Sequence, residues 1–481
     1  KARYRLKFDE FFFLQLEMVR QKMIHQQNFK GFVFEGLGDN FNRFFKDILP
    51  FELTGAQKKV LKEIRKDLMH GRHMNRLVQG DVGSGKTIVA LMSMLMAIDN
   101  GFQACLMAPT EILATQHYNG LKEMTDQLGL EVRLLTGSVK TAARREIHEK
   151  LQSGELHILI GTHALIEEKV KFKNLGMAVV DEQHRFGVAQ RASLWKKNTL
   201  PPHVLIMTAT PIPRTLAMTA YGNLDISIID ELPPGRKPIT TVHRFDKNRL
   251  QVFGFLEEEI QKGRQVYIVY PLIEESETMD YKDLQDGYES IKRAFPKYQI
   301  IIVHGKMKPA DKEFEMQRFV EGKTKIMVAT TVIEVGVNVP NASVMVIESS
   351  ERFGLSQLHQ LRGRVGRGAE QSFCILMTGH KLSNEAKTRI KTMVKTNDGF
   401  EISEVDMKLR GPGDIMGTRQ SGMLNLQIAD LMQDGAILKT AREAVFTILK
   451  EDPGLDKPEH RAIFSNFNLR MKGKAQWGRI S

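Results

Sequence analysis

The segment GDVGSGKT, Gly80 to Thr87, fits the pattern G-x-x-x-x-G-K-[ST] at every fixed position. Gly80, Gly83 and Gly85 let the backbone curl around Ser84 until successive N–H groups point inward. A helix starting at that point adds its partial positive charge, and the two together make a phosphate cradle. Lys86 supplies a mobile cation for the β- and γ-phosphates, and Thr87 offers a hydroxyl to Mg²⁺. A second group of residues completes this chemistry. MAVVDEQH places Asp181 directly after an apolar run, where an acid holds Mg²⁺ through water, and its neighbour Glu182 is placed to orient and deprotonate an attacking water. Hydrolysis of ATP with Mg²⁺ is the chemistry these residue types support.

Regular elements must hold those groups. From Phe51 to Leu232 the short apolar runs RLVQG, ACLMAP, VRLLTG, HILIGT, MAVVDE and VLIMTAT alternate with amphipathic stretches. Such alternation predicts βαβ units and a largely parallel sheet. ELPPGRKPI, Glu231 to Ile239, carries three prolines and a glycine and reads as a linker. The alternation then restarts with QVYIVYPL, YQIIIVHG, KIMVATT, SVMVIES and SFCILMTG. The expected class is therefore α/β with two tandem domains. After Leu382 helical patterns take over around the glycine-rich LRGPGDIMGTRQSG, Leu409 to Gly422. Ahead of the first domain, Phe8, Phe12, Leu16, Val19 and Met23 fall on one face of a helix, read as a long connecting helix. The expected division is connecting helices over 1–50, domains over 51–232 and 233–385, and a smaller helical unit over 386–481.

Composition bounds the function classes. The chain has 481 residues, with 69 Lys plus Arg against 57 Asp plus Glu, a net charge of +12. With 42% apolar and 26% charged residues it is globular, which excludes a fibrous or disordered chain. The longest apolar run, Ile88 to Ile98, has eleven residues, whereas a membrane-spanning helix needs about 20. No secretory leader pattern opens the chain. Cys105 and Cys374 lie in apolar runs and read as core residues, and two cysteines fit a reducing, cytoplasmic setting. The excess positive charge favours a polyanionic partner, though only weakly.

Gln57 in LTGAQ, then GDVGSGKT, APTEILATQH, LLTG, GTHAL, DEQH, TATPIPRT, ATTVIEVGVNVP and QLRGRVGRG stand in the order of the superfamily-two helicase motifs. DEQHRFGVAQR and LRGPGDIMGTRQSG narrow this, and the chain resembles the RecG family, bacterial DNA branch-migration helicases that remodel stalled forks and Holliday junctions. The resemblance covers essentially the whole chain. It implies two RecA-like P-loop domains with parallel sheets, a small C-terminal unit carrying the TRG motif, and a 3′-to-5′ ATP-dependent DNA helicase. It further implies branched, forked and four-way DNA as partners, single-strand binding protein as a protein partner, no membrane, and a monomer. Family members carry an N-terminal wedge domain before the motor, and nothing here corresponds to it. With lysine at position 1 the expectation is a motor without its wedge.

Site roles carry over by the same resemblance. Gln57 matches the glutamine that bonds the adenine edge; Phe51 could stack nearby or sit in the core. Arg367 is the first choice for an arginine finger and Arg364 the second, with Arg362 a solvated or DNA-side residue. Gln360 is expected to touch nucleotide or the neighbouring motif. Thr208 and Thr210 stand where such motors couple their two sites, with local turn-capping as the alternative. Thr110, Thr136, Gly137 and Thr162 match elements that track the sugar-phosphate chain and read no sequence. Glu334 and Gly336 match a loop touching both DNA and nucleotide, and Asn338 stands near a position where the family has aspartate. Arg410, Arg419 and Gln420 match the TRG motif, whose alternative is a static cap on the second domain. A transcription-repair coupling translocase shares these motifs, while RNA helicases would show DEAD and SAT in place of DEQH and TAT. A nucleotide-gated scaffold without turnover is the reading from another class, and intact Lys86, Asp181, Glu182 and Arg367 count against it.

Overall fold

The fold comes from a computed structural model, which describes residues 1–28, 30–182, 197–213, 216, 224–271, 277–330, 339–366, 368, 370–410, 426–431 and 433–477. Side chains are described at these positions except 24–28, 277–283, 309, 410 and 471–477. Two sheets carry the architecture. The first has seven strands, β1 (Asn75–Gly80), β2 (Gln103–Met107), β3 (Val132–Leu135), β4 (Ile158–Gly161), β5 (Leu175–Asp181), β6 (His203–Thr208) and β7 (Asp225–Ile229). Their spatial order is β3-β4-β2-β5-β6-β1-β7. The second has six, β8 (Thr240–Phe245), β9 (Gln265–Val269), β10 (Ile300–Val303), β11 (Ile326–Ala329), β12 (Ala342–Ile347) and β13 (Phe373–Thr378), ordered β10-β11-β9-β12-β13-β8. From β3 across to β1, and from β10 across to β8, neighbouring strands run parallel.

The sequence explains why these are parallel, doubly covered sheets. β2, β4, β5 and β6 are buried at every residue, as are β9, β11 and β12. Continuous apolar strands of this kind are stable only with helices on both faces. Each of the eleven short runs that alternate with amphipathic stretches becomes a strand. Two further strands, β7 and β8, were not anticipated. They are the outer strands of their sheets, half exposed, and DISII and TTVHRF carry too many polar residues to stand out as core runs.

The eleven-residue apolar run is the helix Lys86–Asp99, with Val89 to Ala97 buried throughout. Its one polar interior residue, Ser93, donates its hydroxyl to the Val89 carbonyl at 2.7 Å. Among the described residues no helix is long and apolar enough to cross a membrane. Cys105 and Cys374 are both free and fully buried, and burial pushes each thiol up to about 12. Neither is a nucleophile at neutral pH.

The chain forms two compact units, each with its own core. One comprises residues 1–30, 212–226 and 407–481, and the other residues 31–211 and 227–406. In the first, the helix Ala2–Asn28 buries Phe11, Phe12, Leu16 and Val19 against Leu438, Ala441, Val445 and Leu449 of the helix Gly435–Glu451. Lys7 pairs with Asp434 at 2.6 Å and Lys22 with Asp225 at 2.5 Å along that core. The Phe-rich stripe of the opening helix is thus covered by a helix more than 400 positions away in sequence. The second unit carries the two sheeted lobes and the site.

Candidate nucleotide-hydrolysis site

Strand order sorts the candidate residues into two groups. β5, β6 and β1 are adjacent, so the residues at their carboxyl ends stand side by side: Asp181 opposite Met207, and Gln79 opposite Thr208. Asp181–Glu182, Thr208–Thr210 and Gly80–Thr87 therefore share one edge of the sheet. β3, β4 and β2 form the other half, and Thr136, Thr162 and Thr110 follow their carboxyl ends. Ligands of parallel α/β sheets bind along that edge.

The loop after β1 is built for phosphate. Gly83 and Gly85 have φ of +77° and +83°, a left-handed backbone that only glycine adopts cheaply. Lys86 opens the following helix, and its Nζ donates to the carbonyls of Gly80 and Asp81 at 2.7 and 2.8 Å. Ser84 is buried, and its hydroxyl finds no partner among the described residues. Gln57 is fully buried beside the loop. Its Oε1 accepts from the Thr54 N–H at 2.9 Å, and its Nε2 donates to the Ser84 carbonyl at 2.8 Å. Thr54 accepts in return from the Gln57 N–H, which makes LTGAQ a capping box at the start of the helix Gly55–Leu68. The glutamine thus braces the phosphate loop from behind. Phe51 is 40% exposed and is no core residue.

Across the edge, Asp181 and Glu182 have opposite electrostatics. Burial acts to raise Asp181, but its hydrogen bond to His117, that ring's charge and Lys86 outweigh it, so its carboxyl lies below the usual range. Oδ2 lies 2.8 Å from His117 Nε2, and Oδ1 accepts the Glu182 N–H at 3.1 Å. Glu182 is raised, first by burial and then by the charge of Asp181; Lys86, the Ala209 N–H and Arg364 offset part of this. Its φ of +53° is left-handed for a residue with a side chain, a strained backbone of the kind that collects at functional sites. Its Oε1 accepts from Ala209 N–H at 3.3 Å, so the turn after β6 holds the carboxylate in place. An ionised acid beside a proton-accepting one is the arrangement of a metal carboxylate next to a general base.

The second lobe reaches this edge through the helix Leu355–Arg362. Gln360 donates to the Thr210 hydroxyl at 2.7 Å, a contact with the neighbouring motif. Thr208 in turn accepts from the Thr210 N–H at 3.1 Å, so local turn-capping and contact between lobes coexist at TAT. His359 Nε2 lies 2.7 Å from Asp81 Oδ1 of the phosphate loop, and its Nδ1 accepts from Arg362 at 3.1 Å. Because an arginine only donates, the His359 ring must carry its proton on Nε2 and give it to Asp81. Burial acts to raise Asp81, while the hydrogen bond from His359, the Val82 N–H and Lys86 bring it below the usual range. From the linker, Arg236 donates to the Val82 carbonyl at 3.0 Å. Its guanidinium lies 2.0 Å from where a Cβ on Gly83 would be, so no side chain fits there. Arg364 follows that helix, and its charge is felt at Glu182.

Thr110 caps the helix Glu111–Gln127 by accepting from the Leu113 N–H at 3.3 Å. Thr136 is buried and pairs its hydroxyl with Ser138 at 2.9 Å. Gly137 lies against Glu111, whose Oε1 is 2.9 Å from where a Cβ would be. Thr162 is buried, and its hydroxyl finds no partner among the described residues.

Comparison with known proteins decides the family. The DEAD/DEAH box helicase profile matches residues 54–219, the helicase conserved C-terminal domain 250–369, and the profile of ATP-dependent DNA helicase RecG, domain 3, C-terminal, 396–481. ATP-dependent DNA helicase RecG of Streptococcus pneumoniae is 49% identical over 464 residues, covering 96% of this chain and 68% of that protein. The chain belongs to the RecG family. The Synechocystis RecG is 53% identical and covers 95% of this chain, but the chain spans only 54% of its length. A solved structure of RecG bound to a three-way DNA junction superposes with a TM-score of 0.75 at 41% identity, covering 91% of this chain and 57% of that one. The two parallel-sheet lobes are the RecA-like pair of the RecG family.

RecG-family motifs alone misplace one residue. Arg362 was expected in solvent or on DNA, yet it is 2% exposed. It donates to the carbonyls of Met393 and Thr396 at 2.9 and 2.8 Å and to His359. It ties the helix that faces the phosphate loop to the next helix of its own lobe. Arg362→Ala strands three acceptors, two of them buried, and is expected to cost about 3 kcal/mol, read by denaturant unfolding. Lysine, a point charge, should not rescue it. Arg367, Glu334, Gly336, Asn338, Arg419 and Gln420 lie outside the described residues, as does the side chain of Arg410, which ends the helix Gly399–Arg410. Asp81, His117, Arg236 and His359 were not singled out in the sequence. Only Arg236 had a signal, as the one arginine of the proline-rich linker beside the site.

Proposed function

We propose that this chain is the motor of an ATP-dependent DNA helicase that remodels branched DNA: stalled forks and four-way junctions. The observation carrying this reading is the single edge on which the phosphate loop, the Asp181–Glu182 pair and the TAT turn converge, bonded by His359 and Gln360 of the second lobe. A site shared by two lobes converts nucleotide state into lobe movement. RecG relatives and the RecG junction complex supply the branched-DNA part.

Roles follow from chemistry. Amides of Gly80, Gly83, Ser84 and Gly85 with Lys86 bind the phosphates. Gln57 holds the loop and faces the adenine side. Thr87 and Asp181 are hard oxygen donors at a cradle that side chains would fill, which suits Mg²⁺. Bound there, Mg²⁺ neutralises charge on the phosphates. Glu182 takes the proton of the attacking water, and Arg364 or Arg367 stabilises the transferred phosphoryl group. Thr208 and Thr210 couple the lobes. Thr110, Thr136, Gly137 and Thr162 track a DNA strand, with Gly336 on the second lobe, while Arg410, Arg419 and Gln420 turn lobe closure into movement on duplex. Monomeric, cytoplasmic action alongside single-strand binding protein goes with this reading. No observation favours the coupling-factor alternative.

The test is strand separation on a labelled fork. ATP should drive it and a non-hydrolysable analogue should not; equal separation with both would make the chain a binding scaffold.

A further inference from the structure

The helix Glu111–Gln127 begins at the proposed strand-tracking elements. Its cap is Thr110, and Glu111 lies against Gly137. Two turns further on, the same helix carries His117. The His117 ring reaches the end of β5 and bonds Asp181 Oδ2 at 2.8 Å, with the two side chains only 10% and 12% exposed. A carboxylate oxygen accepts, so His117 Nε2 is the donor in this bond. With Oδ1 taken by the Glu182 N–H, both oxygens are fixed and the carboxylate has one orientation. The neighbouring strands are in register, Met107 opposite Val180. A shift of the helix over this sheet therefore moves His117 relative to Asp181 directly.

We propose that His117 is a positioning residue that sets the Asp181 carboxylate and transmits engagement of a nucleic-acid strand at Thr110 and Gly137 to the Mg²⁺–ATP site. This rests on the hydrolysis assigned above to Asp181 and Glu182. The helix is a rigid rod with a phosphate-tracking end and a hydrogen bond to the metal carboxylate two turns along. A strand bound at its first turn fixes its position, and the fixed helix holds Asp181 ready.

Two readouts on the same chain test this. The first is equilibrium titration of fluorescent ADP with Mg²⁺ and with EDTA, which reads the affinity gained from the metal. That gain should fall about tenfold in His117→Ala, the usual cost of removing a partner that orients a metal ligand. The second is the factor by which forked DNA raises ATP turnover, which should fall by a similar, roughly tenfold amount. His117→Gln keeps an N–H donor at comparable reach and should recover most of both. Wild-type behaviour of His117→Ala in both readouts overturns the proposal. So does equal impairment of Ala and Gln, which would mean the ring only fills space. A wild-type chain whose turnover ignores DNA would overturn the underlying functional reading as well, so the two failures are distinguishable.

Discussion

Lys86→Ala is expected to lower ATP turnover on the order of 10²- to 10³-fold, the cost of removing one preorganised charge from a developing anion. Lys86 donates to the carbonyls of Gly80 and Asp81, so its ammonium lies across the loop it serves. Phosphate oxygens compete for the same three donors, and the charge moves from loop to ligand with little reorganisation. The loss extends beyond one contact, because Lys86 also lowers Asp81, Asp181 and Glu182. Removing it raises all three carboxyls and moves Glu182 further from the ionised form it needs. Steady-state hydrolysis beside a thermal unfolding curve checks this. Wild-type turnover would take the loop out of the chemistry, while a collapsed fold would make Lys86 structural.

Glu182→Gln should cost on the order of 10²- to 10⁴-fold in turnover, the range for losing a general base. The sign of the pH effect follows from the environment. Glu182 is raised by burial and by Asp181, so it protonates at higher pH than an ordinary glutamate as the solution is acidified. Turnover should therefore fall on the acid side with an apparent pKa above the usual glutamate value. The limb belongs to the Asp181–Glu182 pair rather than to one group. Glutamine cannot titrate, and the residual activity of the variant should lose that limb. An unchanged acid limb in Glu182→Gln would assign the base elsewhere.

What the sequence made legible followed from strength of signal. Strands buried on both faces read as apolar runs, so eleven of the thirteen strands among the described residues were visible. β7 and β8 were not, since an outer strand half in solvent carries the polar residues of a loop. The phosphate loop and the acidic pair were legible because their chemistry allows few residue types. His117 and His359 were not, because a histidine on an amphipathic helix has no pattern of its own; its partner is set by strand order. Arg362 shows the same limit. R-x-R-x-x-R offers three arginines in a row of six residues, and only packing decides that Arg362, the last residue of its helix, turns inward to cap carbonyls of its own lobe. Gln57 was read for adenine alone, although T-x-x-Q is also a capping box.

The most direct test of the central claim is initial-rate ATP hydrolysis by this chain without DNA and with single-stranded, duplex, forked and four-way DNA in turn. Two lobes sharing one site gated by DNA predict at least about fivefold stimulation, greatest with the branched forms. Turnover that is the same with every DNA and with none would contradict the account.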